Sequence, residues 1–310
     1  MALTLLEAAK LVSGDVQRAG IIELFARNSD ILSALPFEDI PGGSLSYNQE
    51  SALPGVAFRG VNEAYSESVG VINPVTEVLT ISGGDMDVDR SLIKTRGPGI
   101  RAVHESVKVK ALAQQWHLKF IKGDSTTSPK EYDGLQSRLT GNQVISAGGS
   151  DGGDPLSLAK LDELIDAVDD PTHLIMSKAM RRKFAVAQRD RTIGGYVTFG
   201  QDEFGRQVTR YNDLPILIAD ASDIATSNHS LGFNEAATGG SSASTSVYAV
   251  SMREGMLTGI QNGGIEVMDL GQQDSKPVMR TRIEWLSGIA LMHPRAAARL
   301  RDISNAAITA

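Results

Sequence analysis

Residues 4 to 26 place Leu5, Leu6, Ala9, Leu11, Val12, Val16, Ile21, Ile22, Leu24 and Phe25 at near-helical spacing, broken at Ser13-Gly14-Asp15 and at Gly20. The spacing predicts one or two short amphipathic helices. ALPFEDIPGG at 34–43, with two prolines and two glycines, ends that arm. The period then falls to two. SLSYNQESALPGVAFRGVNEAYSES, from residue 44 to 68, alternates like a strand but offers few large apolar anchors, chiefly Leu45, Tyr47, Leu53, Val56, Phe58, Val61 and Tyr65. A second β-branched run, VGVINPVTEVLTISGGDMDVD at 69–89, completes an expected long hairpin with its tip around 50–62.

From Pro98 the period lengthens again, with Ile100, Val103, Val107, Ala111, Leu118 and Ile121 recurring every three or four residues up to Gly123. Pro98 suits a first helical turn and Gly123 a stop. A helix over 98–122 is about 37 Å long at roughly 1.5 Å per residue. Farther on, LSLAKLDELIDAV ending at Val168 predicts a helix, THLIMS at 172–177 a buried strand and KAMRRKFAVAQ at 178–188 a further helix. VTFGQDEFGRQVTRYNDLPILIAD reads as two short strands about a glycine turn, followed by an apolar run behind Pro215. The Ser/Gly-rich stretch 227–246 reads as an exposed loop. VYAVSMREGMLTGI, GIEVMDL and VMRTRIEWLSGIALMHP then close the chain as strands ending near residue 293.

A chain of 310 residues with 41% hydrophobic and 22% charged residues can bury a core of more than one packed region. The absence of cysteine excludes disulfides, thiolate zinc sites and cysteine nucleophiles, and fits an intracellular site of folding. A formal charge of −7 argues against the broad basic face of a nucleic-acid binder. No run of about 18 apolar residues predicts a membrane span, and no basic region precedes the first apolar stretch.

Chemistry finds few addresses. Gly148-Gly149-Ser150-Asp151-Gly152 matches G-x-S-x-G, but Gly153-Asp154-Pro155 stands where a nucleophile elbow needs its helix. Asp85, Asp87 and Asp89 would share a strand face and could gather a hard cation, yet a calcium loop's downstream residues are missing; the simpler reading is a solvated face. His104, His117, His173, His229 and His293 are scattered without a ligand spacing. Gly97-Pro98-Gly99 lacks the lysine and hydroxyl of a phosphate loop, and Arg181, Arg182, Lys183, Arg189 and Arg191 suit a solvated helix face or a partner contact. These readings predict no catalytic site, no cofactor and no metal.

The order of elements, arm, long hairpin, long helix and α/β region returning to a final strand, resembles the major capsid proteins of tailed bacteriophages with the HK97 fold. Phe120, Gly123, Asp124, Tyr132, Gly134 and Leu135 stand where that family closes its spine helix. The resemblance implies an α+β fold: N-arm at 1–40, E-loop at 41–75, and peripheral (P) domain at 76–139 with its spine helix at 98–122. An axial (A) domain at 140–270 follows, with 157–190 open to being shared, and 271–310 returns to the P domain. It implies a structural subunit that assembles with itself into pentamers and hexamers, enclosing DNA without sequence-specific binding and touching no membrane. A separate scaffolding protein, a portal and decoration proteins are the further partners it implies. An encapsulin, a bacterial compartment shell of the same fold, is the alternative, and a serine hydrolase using Ser150 the remote one.

A two-stranded ribbon is marginal alone in water, so the hairpin needs a partner surface. Leu53 and Phe58 are its expected inter-subunit anchors, with Arg59, Glu63 and Glu67 offering charge pairs. Some family members weld subunits by an isopeptide bond from an E-loop lysine, but no lysine lies between Lys10 and Lys94. Mature particles should therefore run in denaturing gels as one band near 33 kDa; ladders that survive heat and detergent would contradict this.

Overall fold

The computed structural model describes residues 3–4, 29–52, 54–65, 67–97, 99–187, 197–201, 207–219, 230–240 and 243–309. The predicted helices of 4–26, apart from Thr4, which is in a strand, and Leu53, Pro98, Arg189, Arg191 and His229 lie outside the described residues. Two sheets and a ribbon organise the chain. The five-stranded sheet has the order β1 (Leu3–Thr4), β2 (Pro36–Asp39), β12 (Leu257–Gln272), β13 (Val278–Leu291), β5 (Thr80–Asp89). The seven-stranded sheet runs β6 (Val144–Ser146), β14 (Ala297–Ile303), β11 (Thr245–Val250), β7 (His173–Met176), β10 (Leu214–Ile218), β9 (Gln207–Tyr211), β8 (Val197–Gln201). β3 (Ser44–Ala52) and β4 (Val71–Val78) pair only with each other.

Helix α1 (Asp30–Ala34) starts at Ser29, whose hydroxyl accepts the Leu32 N–H. α2 (Arg90–Arg96) is capped by Asp89 at its start and by Gly97, at φ +85°, at its end. Gly97 thus ends one helix, and Gly99 opens the next. α3 (Gly99–Lys122) is the long helix. It buries Glu105, Val109, Ala113, Trp116, His117, Phe120 and Ile121, a repeat of three and four. Of the stripe the sequence suggested, Ile121 is buried and Ile100 and Leu118 are half-buried, but Val103 and Val107 are each 61% exposed and Ala111 is exposed as well. The helix carries two apolar faces, and periodicity alone does not say which one the rest of the chain covers.

The covered face closes on an aromatic cluster. Trp116 stacks on Phe120 at 5.2 Å and lies 6.0 Å from Phe37 and 5.9 Å from Trp285, ring centre to ring centre. Trp285 anchors itself by donating Nε1–H to Gln261 Oε1 at 3.1 Å. A second core lies on the seven-stranded sheet, where α5 (Leu158–Asp166) and α6 (Lys178–Ala187) set Leu161, Leu164, Met180 and Phe184 against Leu174, Val247 and Leu300.

Three strand expectations change. The run 69–89 divides at Leu79: β4 pairs with the ribbon, whereas β5 pairs with β13 through ten residues, from Thr80↔Ser287 to Asp89↔Val278. β14, AARLRDI, continues the chain past residue 293 as an interior strand between β11 and β6. Its alanines and arginines carry little strand propensity; burial on both faces overrides it. The Ser/Gly-rich stretch is also not simply a loop, because Ser230, Leu231, Glu235, Ser244, Thr245 and Ser246 are buried. Their hydroxyls bond inward, Ser244 to Glu235 O and Thr245 to Leu231 O, so small polar residues are accommodated without loss.

Two histidines sit inside this frame. Burial lowers the pKa of His117 from 6.5 to about 4, and that of His173 likewise to about 4. Between those values the unfolded chain binds protons that the folded chain refuses, so stability falls as pH drops from about 6.5 toward 4. For His117 the loss is about 3 kcal/mol at most. Chemical denaturation at pH 7 and pH 4.5 should show this decline, and His117→Gln should flatten it; an unchanged slope would contradict the assignment.

Candidate assembly surface

The ribbon is held at its root and free at its tip. Cross-strand partners run from Ser44↔Val78 to Ala52↔Val71, with a bulge near residue 51. Pro74, opposite Asn48, is tolerated because a two-stranded ribbon leaves each strand one unpaired edge. Nine residues of strand extend about 30 Å. At the root, Ile40 and Leu79 pack with Ile260 and Ala290, and Leu45 and Tyr47 lie against them.

A polar clamp completes the root. The Arg138 guanidinium takes the Glu77 carboxylate bidentately, through Nη1 to Oε1 and through Nη2 to Oε2 at 2.7 Å. Tyr47 donates its hydroxyl to Leu291 O at 2.9 Å and lies 3.3 Å from Glu77 Oε1. Burial, and then the Glu77 charge, push the Tyr47 phenol up to about 12.

Arg138 is in place because of the turn after α3. Gly123 and Gly134 meet back to back, Gly134 N–H donating to Gly123 O at 2.9 Å. A Cβ on Gly123 would stand 2.3 Å from Tyr132 O, and one on Gly134 would stand 2.6 Å from Gly123 N. Asp124 accepts from the Thr126 N–H and from the hydroxyls of Thr126 and Thr127, which hold its carboxyl down at about 2. Tyr132 donates to Trp116 O at 3.2 Å, and Leu135 is fully buried. The short helix α4 (Leu135–Arg138) follows, and Arg138 Nε donates to Asp133 O at 2.7 Å. The six residues that carried the resemblance therefore build the mount for the clamp.

Beyond the root the ribbon touches little of its own chain. Val56, Phe58 and Val61 are each more than nine-tenths exposed. The tip nevertheless has an internal order. Glu63 Oε2 accepts the Gly60 N–H at 2.8 Å, Arg59 donates to Glu63 O at 3.1 Å, and its guanidinium lies 5.2 Å from the Tyr65 ring centre. Ser68 closes the neck by donating to Gly55 O at 2.8 Å. Arg59 and Glu63 thus shape the tip, while Phe58 and Glu67 project outward. Nothing in the sequence marked Arg138 or Glu77, and Tyr47 stood out only as an apolar anchor; the three come together across sequence separations of 30 and 61 residues.

The other candidate chemistries resolve structurally. Asp85 accepts bidentately from Arg282 and Asp87 from Arg280, across the β5–β13 pair, which lowers both carboxyls; Asp89 caps α2. The acidic face is a charge ladder. Among the described residues no cluster of histidine and carboxylate side chains could hold a metal, and no helix is long and apolar enough to cross a membrane. Ser150 lies in an exposed turn, and the next helix, α5, begins only at Leu158, so the strand–turn–helix of a nucleophile elbow is not formed. Lys183, from the basic cluster, donates to Ala306 O at 2.7 Å and covers the Phe233 ring.

Solved structures share this arrangement. The shell protein of the holo-SrpI encapsulin complex from Synechococcus elongatus PCC 7942 superposes with a TM-score of 0.64 at 14% identity, over 100% of this chain and 99% of that one. A chain of Microbacterium phage Oxtober96 gives 0.61 at 13%, covering 89% and 90%, and the capsid of an empty GTA particle gives 0.60 at 15%, covering 89% and 90%. The fold is the HK97 capsid fold. A family model described as "Major capsid protein GP7" matches residues 13–158, just under half of the chain, spanning ribbon, spine helix α3 and the Gly123–Leu135 turn. A search of curated protein sequences finds no match.

With their side chains only 14% and 10% exposed, Arg138 and Glu77 form a largely desolvated pair. Arg138→Ala strands a buried carboxylate and should cost about 3 kcal/mol. Thermal melting of the subunit should show the drop, and adding Glu77→Leu should recover much of it. Equal stability of Arg138→Ala and the parent would show that the clamp holds nothing.

Proposed function

We propose that the chain is the major capsid subunit of a tailed bacteriophage, a structural protein with no catalytic role that assembles in many copies into an icosahedral head enclosing DNA. The observation that carries this reading is a preformed ribbon whose apolar tip is unsupported by its own subunit, on a fold shared with solved phage capsids over nearly the whole chain. A tip that satisfies itself in isolation would not display Val56, Phe58 and Val61 to water. In this reading Leu53, Phe58, Arg59, Glu63 and Glu67 belong to the inter-subunit contact. Residues 1–40 serve as N-arm, 41–75 as E-loop, 76–139 with 271–310 as P domain, and 140–270 as A domain. Pentamers and hexamers form about the A domain by repeated heterologous contacts that close into rings. A scaffolding protein, a portal and decoration proteins are the partners, and the virion is the location. Net negative charge suits a lining that must release DNA.

The encapsulin likeness, which extends over the full chain, supports a second reading in which the shell holds protein cargo. Purified particles decide between them: nuclease-protected DNA in filled shells supports the phage head, and protein cargo without nucleic acid the compartment. Replacing residues 53–70 by a two-residue turn should leave a folded subunit, judged by circular dichroism, yet abolish stable shells in electron micrographs. Normal shells from the trimmed chain would contradict the role given to the ribbon.

A further inference from the structure

Lys122, the last residue of the spine helix, is half-buried, and among the described residues no carboxylate pairs with it. Its ammonium donates to the Asn234 amide oxygen at a long 3.4 Å. Burial lowers its pKa more than the nearby Glu235 charge raises it, and Arg299 adds to the lowering. Glu235 has the converse defect. Its Oε2 accepts from Arg299 Nη2 at 2.9 Å and from the Ser246 hydroxyl, whereas Oε1 is buried and meets no donor among the described residues. Buried carboxylate oxygens are rarely left so. Both residues line one open pocket of about 420 Å³ between the end of the spine helix and β14. Arg299 and Arg301, two apart on β14 and so on one face of it, line the same pocket. Arg299 donates Nε–H to Ser246 Oγ at 3.0 Å, and Arg301 reaches Asp302 Oδ2 through Nε at 3.1 Å and Thr238 Oγ1 through Nη2 at 3.1 Å. Each guanidinium keeps Nη1 outside these bonds.

The pocket as a whole is neutral, with Lys122, Arg299 and Arg301 set against Glu235, Asp302 and Asp124, the last held by Thr126 and Thr127. What is unmatched is not net charge but particular groups: donors at Lys122 Nζ and the two Nη1 nitrogens, and one acceptor at Glu235 Oε1. A ligand that completes the pocket brings anionic oxygens for the cations and one O–H for Glu235. Sulfate and the phosphodiesters of a nucleic-acid backbone have the first and lack the second. Inorganic phosphate and phosphate monoesters have both, because their second ionisation falls near about pH 6 and one oxygen keeps its proton below that. Guanidinium forks also match the geometry of phosphate oxygens. We infer that Lys122, Arg299, Arg301 and Glu235 form a binding site for a monoprotonated phosphate group. Its anionic oxygens accept from Lys122 Nζ and from the two Nη1 groups, and its P–OH donates to Glu235 Oε1. Bound there, the group ties the end of the spine helix to β14. The site belongs to the single chain and needs no assembly.

Phosphate and sulfate both raise melting temperatures without specific binding, so isothermal titration calorimetry of the full chain, at about pH 6 and low ionic strength, is the test. Inorganic phosphate should bind at least about tenfold more tightly than sulfate, which leaves the buried acceptor unpaired. Lys122→Met and Arg301→Met should each weaken phosphate about tenfold with unchanged circular dichroism. Glu235→Gln replaces the acceptor by a group that can donate, so the preference should move toward sulfate, whereas a merely structural role for Glu235 would weaken both ions alike. Should that variant not fold, the sulfate comparison and Lys122→Met still decide. Short oligodeoxynucleotides separate the sources of the group: one with a terminal phosphate should bind, and its unphosphorylated copy should not. Equal affinity for phosphate and sulfate shows an unselective cation cluster and overturns the assignment, as does equal binding of the two oligonucleotides. Inorganic phosphate giving no heat at millimolar concentration, or full affinity in Lys122→Met, overturns it as well.

Discussion

A carboxylate and a guanidinium brought out of water at the root of a two-stranded ribbon fix the relation between the ribbon and everything else. Glu77 leaves β4 and meets Arg138, which a glycine-to-glycine contact at the end of the spine helix holds in place. Such a pair returns little net stability, because desolvation offsets most of its attraction. What it supplies is direction. A thin hairpin about 30 Å long with a loose root would sample many angles, and each would have to be given up on binding. With Tyr47, Glu77, Arg138 and the small cluster of Ile40, Leu79, Ile260 and Ala290 in place, the subunit offers a preset lever.

The same logic runs through the body of the protein. The spine helix commits one face to the aromatic cluster of Phe37, Trp116, Phe120 and Trp285 and leaves the other bare. The charge ladder of Asp85, Asp87, Arg280 and Arg282 ties β5 to β13 along an exposed surface, where each pair adds little singly. The isolated chain therefore keeps two apolar features at its surface, the tip of the ribbon with Val56, Phe58 and Val61 and the helix line of Val103, Val107 and Ala111.

Much of this was legible in the sequence, and the failures have physical causes. The Gly123–Leu135 turn was marked only by the family resemblance, whereas the long helix, its stop at Gly123 and the α/β texture followed from periodicity and residue type. The face of the helix did not, since Val103 and Val107 have the same period as Val109 and Ala113, and only the sheet decides which is covered. β14 was lost because Ala297, Ala298 and Arg299 make poor strand formers until two neighbouring strands and a buried Glu235 carboxylate receive them. The buried serines misled in the other direction: small polar residues look like loop until their hydroxyls find carbonyls. The clamp was invisible because a contact between residues 77 and 138 has no local signature. Of the expected contact residues, Phe58 and Glu67 point outward, Arg59 and Glu63 order the tip, and Leu53 lies outside the described residues.

Amide hydrogen exchange, compared between isolated subunit and assembled particle, tests the central claim most directly. Amides at the ribbon root, around residues 44–48 and 75–79, should be protected in both states, because the subunit itself holds them. Those of the tip, between residues 54 and 70, should exchange rapidly in the free subunit and slowly in the particle. A tip equally protected in both would show that the ribbon already rests on its own chain, and the account would be wrong.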